Sequence, residues 1–193
     1  MWQFSEELKK RKEYLNTNGY DAYCLFTLQG IETSIADELN CNYDYCLASP
    51  LLKMSHRSNH GVRYDVQEVL LGGYIFVYLP KDKDIYHLKT NRYFFKVLSR
   101  QNNDGKLALK DLEYAKWVLD MEGVLSVSEA IKIDGKVKII NGPLKRLEGS
   151  IVEYSKKNRN CCIEIDLLGQ KIKTWLPFDW IDFDDKDLKI WKR

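Results

Sequence analysis

Residues 135–151 read Gly135-Lys-Val-Lys-Ile-Ile-Asn-Gly-Pro-Leu-Lys-Arg-Leu-Glu-Gly-Ser-Ile151. Gly135 opens a strand. Val137 and Ile139, two apart, share one face of it and fill a core. Gly142-Pro143 makes a turn. Gly149 suits a backbone conformation or close approach that a side chain would block, and Ile151 re-enters the core. Period-two patterning then continues along the chain. It predicts strands at 136–140, 150–154, 161–166, 171–176 and 179–183, broken at Asn141-Gly142-Pro143, Lys156-Lys157-Asn158 and Leu168-Gly169. Five short strands so closely spaced predict a small barrel.

Upstream the pattern is different. Residues 5–17 predict a short amphipathic helix, stopped at Asn18-Gly19. Ala22 to Thr27 reads as a buried strand, and Ile31, Ile35 and Leu39 recur every four residues in a following helix. Residues 51–57 and 62–68 alternate loosely around Ser58-Asn59-His60-Gly61, a hairpin signal. In the next strand Tyr74, Phe76 and Tyr78 share one face, and Ile75, Val77 and Leu79 the other. A strand apolar on both faces is either central in a sheet or carries an exposed apolar face that binds something. Tyr93 to Leu98 predicts another strand. Tyr114, Trp117, Val118 and Met121 predict a helix ended by Gly123. The change from mixed to all-β patterning near 124–130 marks a domain boundary.

The 193 residues are 45% hydrophobic, which is too apolar for disorder and long enough for a sizeable core. The longest uncharged stretch, Val69 to Pro80, is twelve residues, short of the roughly 20 that a membrane helix needs. The N-terminus turns charged at once, so no signal peptide is expected. Five cysteines without a CxxC fit a reducing cytoplasm better than a disulfide framework. The overall charge is only +2, but residues 132–173 carry ten basic against five acidic side chains. That local excess points weakly to a polyanion, and a solvated face is the competing reading.

Signs of catalysis are sparse. His56 and His60 have i, i+4 spacing but fall on a predicted hairpin with no Cys or carboxylate at ligand spacing. No P-loop, nucleophile elbow or GxGxxG is present. Asp182, Asp184 and Asp185 read as a solvated acidic cluster. No enzyme activity, cofactor or metal is expected.

Gly135, Val137, Ile139, Gly142-Pro143, Glu148-Gly149 and Ile151 together resemble the KOW motif, a strand–loop–strand element of ribosomal proteins and transcription elongation factors. Gly73-Tyr74-Ile75-Phe76-Val77 resembles the F-P-G-Y-V-F-V strand of the NusG N-terminal domain. Ala22-Tyr23 through Gly30 and Glu32 resembles that domain's first strand, turn and helix start. In this order the motifs resemble the NusG/RfaH family over about residues 20–185. The chain departs from the family at Ala22, where the family has Trp, at Leu71-Gly72 in place of Phe-Pro, at Arg146 in the KOW loop, and in its extra first twenty residues. Such drift is similar to that of the specialised LoaP-type antiterminators.

The resemblance implies an α+β chain. It would have a NusG-like sandwich of antiparallel sheet and flanking helices at 20–123, preceded by the helical extension at 1–19 that the periodicity predicts. A linker at 124–130, a five-stranded KOW barrel at 131–185 and a tail at 186–193 would follow. It implies a monomeric, cytoplasmic transcription elongation and antitermination factor that docks on the clamp helices of RNA polymerase and suppresses pausing or termination. The docking residues carried over are Phe26, Tyr74 and Phe76, with His87 and Thr90 near the place of the family's His-Thr stretch. The same rings also suit an ordinary core. Lys53, Arg57 and Arg63 on the hairpin are candidates for contact with non-template DNA, or else solvated charges. Lys145, Arg146, Lys156, Lys157, Arg159, Lys171 and Lys173 are candidates for nascent RNA, a hairpin in particular. Aromatic side chains are scarce among them, with only Tyr154 near, which argues for backbone and shape recognition over stacking. The alternatives are a housekeeping NusG that couples polymerase to Rho or to a ribosomal protein, and a KOW protein that binds RNA or the ribosome without polymerase.

Overall fold

The fold was taken from a computed structural model, which describes residues 1–60, 62–88, 94–99, 104–133 and 136–181. Contacts divide the chain into two units. One comprises Met1–Leu125 with Asp166–Gln170, the other Ser126–Ile165 with the residues from Lys171 onward.

The first unit is built on a four-stranded sheet. Its strands are β1 (Tyr20–Thr27), β2 (Leu47–Pro50), β5 (Tyr74–Pro80) and β6 (Phe94–Leu98), in the order β2-β5-β1-β6, all antiparallel. The two interior strands are the two most apolar stretches of the unit, as expected for strands covered on both faces. Register places Ala22, Cys24 and Phe26 opposite Tyr78, Phe76 and Tyr74. Helix α3 (Leu109–Asp120) lies on that face, and the buried Tyr78 hydroxyl donates to the Ala115 carbonyl at 2.6 Å. Helix α2 (Glu32–Asn42) is tied to β2 by Asn40. Its amide gives one hydrogen bond to Ala48 O at 2.8 Å and takes one from Ala48 N at 2.7 Å. Of the twelve-residue uncharged run, Tyr74–Pro80 is the interior strand β5, and no described helix is long and apolar enough to cross a membrane.

The first helix, α1 (Glu6–Asn18), starts at Ser5, whose hydroxyl accepts from Leu8 N. It buries Leu8 and Leu15, and Trp2 and Phe4 ahead of it are buried too. Arg11 Nη1 lies 2.8–3.0 Å from the carbonyl oxygens of Asn40, Tyr43 and Cys46, where α2 ends. Asn40 lies in the last turn of α2, where carbonyls lack an intrahelical partner, and Tyr43 and Cys46 follow the helix, so one guanidinium ties the end of α2 to the chain that leaves it.

A three-stranded sheet joins the hairpin β3 (Leu52–Asn59) and β4 (Val62–Val69) to the short β7 (Val124–Leu125), parallel to β3. Residues 124–130 are therefore not a bare connection. They carry β7 and the start of the next strand.

In the second unit β8 (Ser128–Ile133), β9 (Lys136–Asn141), β10 (Ile151–Ser155), β11 (Asn160–Leu167) and β12 (Gln170–Trp180) form a sheet in the order β10-β11-β12-β8-β9. Gln170 and the preceding turn group with the first unit. The expected five strands differ in detail. The predicted 171–176 and the first two residues of the predicted 179–183 belong to one strand, β12, which runs through Pro177 and ends at Trp180. The fifth strand is β8, which begins at Ser128 inside the stretch expected to be linker and runs on to Ile133. β12 pairs in parallel with β8 from Phe178 to Trp180, just past Pro177, which has no N–H to offer a neighbour. The described pairings leave β9 and β10 as outer strands, so closure into a barrel is not shown.

The quoted loop is accounted for in part. Gly142 has φ +88°, and a Cβ there would lie 2.7 Å from Ser128 Cα. Ser128 Oγ accepts from Leu144 N at 3.0 Å, in the short helix α4 (Pro143–Arg146) with Pro at its start. Gly149 differs from expectation. A Cβ there would meet nothing within 4 Å, and its φ is not left-handed. Gly135, the tail 186–193 and Asp182, Asp184 and Asp185 lie outside the described residues.

Candidate functional site

The turn between β1 and α2 and the entry to β5 form one construction. Glu32, in the first turn of α2, is 1% exposed. Its carboxylate accepts from Gly30 N at 2.8 Å and from Gly73 N at 2.6 Å. Gly73 O in turn accepts from Thr27 N at 2.8 Å. Gly73 has φ +84°, and a Cβ would lie 2.9 Å from Thr27 O and 3.0 Å from the Phe26 ring. No other residue type fits this close crossing without strain.

The crossing fixes an aromatic pair. Phe26 and Tyr74 stand opposite in register, with ring centroids 5.5 Å apart and planes at 76°. Phe26 is 40% exposed and Leu28, next along the turn, is 53% exposed. Tyr74 is half-buried, and burial raises its hydroxyl pKa. The hydroxyl donates to Gln170 Oε1 at 3.1 Å within the same unit. Lys96 on β6 is also opposite Phe26 and exposed. The result is a small apolar patch with a cationic flank.

The other docking candidates are placed differently. Phe76 is 1% exposed and lies in the core, on the face that α3 covers. Position parity put Phe76 and Tyr74 on one face correctly, but the helix covers only part of that face. His87 is exposed at the end of the 3-10 turn Ile85–His87, whose Asp84 cap accepts from Tyr86 N. Thr90 lies outside the described residues.

On the β3–β4 hairpin one carboxylate gathers the cations. Glu68 accepts from Arg57 at 2.7 and 3.1 Å and from Ser55 at 3.0 Å, and Lys53 Nζ lies 3.9 Å away. The Arg57 hydrogen bonds hold the Glu68 carboxyl below its ordinary range. Arg63 lies on β4 opposite Ser58, and its side chain is not among those described. His56 Nδ1 is 2.5 Å from Asp65. No group of three or more potential metal ligands occurs among the described residues.

In the second unit Lys156, Lys157 and Arg159 are exposed at the β10–β11 turn. Arg159 Nη1 is 3.5 Å from Asp179. Lys145 and Arg146 are exposed on α4, and Lys145 Nζ also reaches Ile139 O at 3.3 Å. Lys171 and Lys173, on β12, flank Glu164 at 3.1 and 3.8 Å. These cations thus occupy three places: a turn, a helical turn and a strand face.

Several contributors escaped the sequence reading. Leu28 and Lys96 depend on strand register. Trp175 is 37% exposed and shares β12 with Lys171 and Lys173 at spacing two. That alternation was visible in the sequence.

No protein-family model matches the chain, and no curated protein matches it. Among solved structures it is similar to one described as "Domain interaction in Thermotoga maritima NusG". The two are 18% identical, the match covers 82% of this chain and 93% of that one, and the TM-score is 0.48.

Proposed function

We propose that the chain is a NusG-type transcription elongation factor. Its first unit binds RNA polymerase through the Phe26–Tyr74 patch, and its second unit holds nascent RNA through exposed cations. The observation that carries this reading is the Glu32 crossing. The two stretches that resemble the NusG N-terminal domain, 22–32 and 73–77, are distant in sequence. Here they meet through Glu32, Gly30 and Gly73 to present one aromatic pair. Exposed aromatic rings on a rigid support are the kind of residue that dominates helix-in-groove contacts. Phe76 then supports the patch from within and does not touch the partner. In the finer reading the protein is a LoaP-type antiterminator, a cytoplasmic monomer without catalytic activity.

A second reading draws on the burial of Phe76, which suits a KOW protein that binds RNA or the ribosome without polymerase. Gel filtration with core RNA polymerase separates the two. Co-migration that Tyr74→Asp weakens by more than about thirtyfold supports docking through the patch. A folded protein that never co-migrates would leave the second reading.

A further inference from the structure

We infer that the outer face of β12 is a base-stacking strip for single-stranded RNA, centred on Trp175. This rests on the reading of the second unit as an RNA-binding module and specifies the RNA it takes. Lys171, Lys173 and Trp175 alternate along the strand and so project from one face. All three are exposed, whereas Ile172 and Thr174 between them are less so and Leu176 after them is buried. The strip spans about 13 Å, at roughly 3.3 Å per residue.

An indole left 37% exposed on a strand is a costly surface in water, since aromatic area is among the most favourable to bury. An aromatic ring can stack with a base of any identity. Stacking on such rings is the common feature of proteins that hold unpaired nucleic acid. The lysines supply the matching phosphate contacts. Their side chains are 74% and 65% exposed, and each pairs with Glu164. Exposed ion pairs of this kind are weak and readily exchanged for a phosphate. The surrounding stretch 132–173, with ten basic and five acidic residues, favours a polyanion over an acidic or apolar protein partner. A duplex hides its base faces, so the strip discriminates against paired RNA.

The test is fluorescence-polarisation binding of the full chain to a labelled, unstructured oligoribonucleotide of about ten nucleotides, and to the same strand annealed to its complement. The single strand should bind more tightly. Trp175→Ala should weaken single-strand binding about tenfold without altering its salt slope. Trp175→Phe should retain most of the affinity, and Trp175→Leu, which keeps apolar bulk without an aromatic face, should lose it. Lys171→Ala with Lys173→Ala should flatten the slope by about 1.4. Equal loss of duplex binding in Trp175→Ala, or full affinity in Trp175→Leu, would overturn the strip. A wild-type chain that binds only the duplex would overturn it too, while leaving the RNA-binding reading intact. A chain that binds neither probe would remove both.

Discussion

Glu32 accepts the backbone N–H of Gly73 at 2.6 Å across 41 positions of sequence, with a carboxylate that is almost wholly removed from solvent. A buried carboxylate is tolerated only where donors replace its water, and here two main-chain amides do so. The same contact sets where β5 begins relative to the β1 turn, and so sets the spacing of Phe26 and Tyr74.

Glu32→Ala leaves the Gly30 and Gly73 amides without their acceptor. It should lower stability by about 3 kcal/mol, read as a fall in the urea midpoint. Glu32→Gln should cost less but not nothing, because its NH2 group faces one of two donors. If the patch is the polymerase site, both variants should weaken co-migration although the buried Glu32 does not touch the partner.

Arg11→Ala removes the donor that Asn40 O at the end of α2 shares with Tyr43 O and Cys46 O beyond it, and should destabilise the first unit by about 2 kcal/mol. Arg11→Lys should recover little of this, since an ammonium does not reproduce the reach and fan of the guanidinium. Amide exchange at the C-terminal turn of α2 would accelerate in both variants. Unchanged exchange there would show that the contact is idle.

The Glu68 carboxyl is held below its ordinary value of 4.5, foremost by Arg57, then by Ser55 and Lys53. A depressed carboxylate stabilises the fold above its unfolded pKa, and that contribution fades as pH falls through the folded value. The hairpin should therefore loosen only below about pH 4.5. A carbon-detected NMR titration of Glu68 should show a midpoint below 4.5 that returns towards it in Arg57→Ala. If the hairpin meets DNA, Glu68→Gln should strengthen that contact at neutral pH by releasing Arg57 and Lys53.

Of the five cysteines only Cys41 is exposed. Burial pushes the Cys46 and Cys161 thiols up to about 12 and raises Cys24 further still. Iodoacetamide at neutral pH should label Cys41 alone, as mapped by peptide mass spectrometry. The other four should react only in denaturant. Fast labelling of Cys161 or Cys162 would contradict the packing of β11.

What the sequence made legible was local. The apolar runs at 22–27 and 74–79 read as strands and stand as the two interior strands of the first sheet, and the expected hairpin forms, although Ser58 and Asn59, read as part of its connection, pair with Arg63 and Val62. Long-range partners were not legible. A lone glutamate at a helix start reads as a favourable charge near the dipole, and nothing near it in sequence points to Gly73. Tyr74 and Phe76 look equivalent by parity. They differ because α3 arrives over one and not the other, an arrangement fixed by Tyr78 and Ala115 37 positions apart. Pro177 falls in the gap between the predicted strands 171–176 and 179–183. A proline ends pairing on one side of a strand, and there β12 simply changes partners.

The parallel pairing of β8 with the end of β12 also sets an order in time. Ser128 and its partner Phe178 are 50 residues apart, so at roughly 5–20 residues per second the ribosome needs about 3–10 s to deliver the second after the first. In that interval β9 can satisfy one edge of β8, through a hairpin made at once, while the other edge waits unpaired. An open strand edge is a template for the wrong neighbour. The late residues Phe178–Trp180 therefore act as a closing seal, and a nascent chain stalled before them would be the species most prone to aggregate.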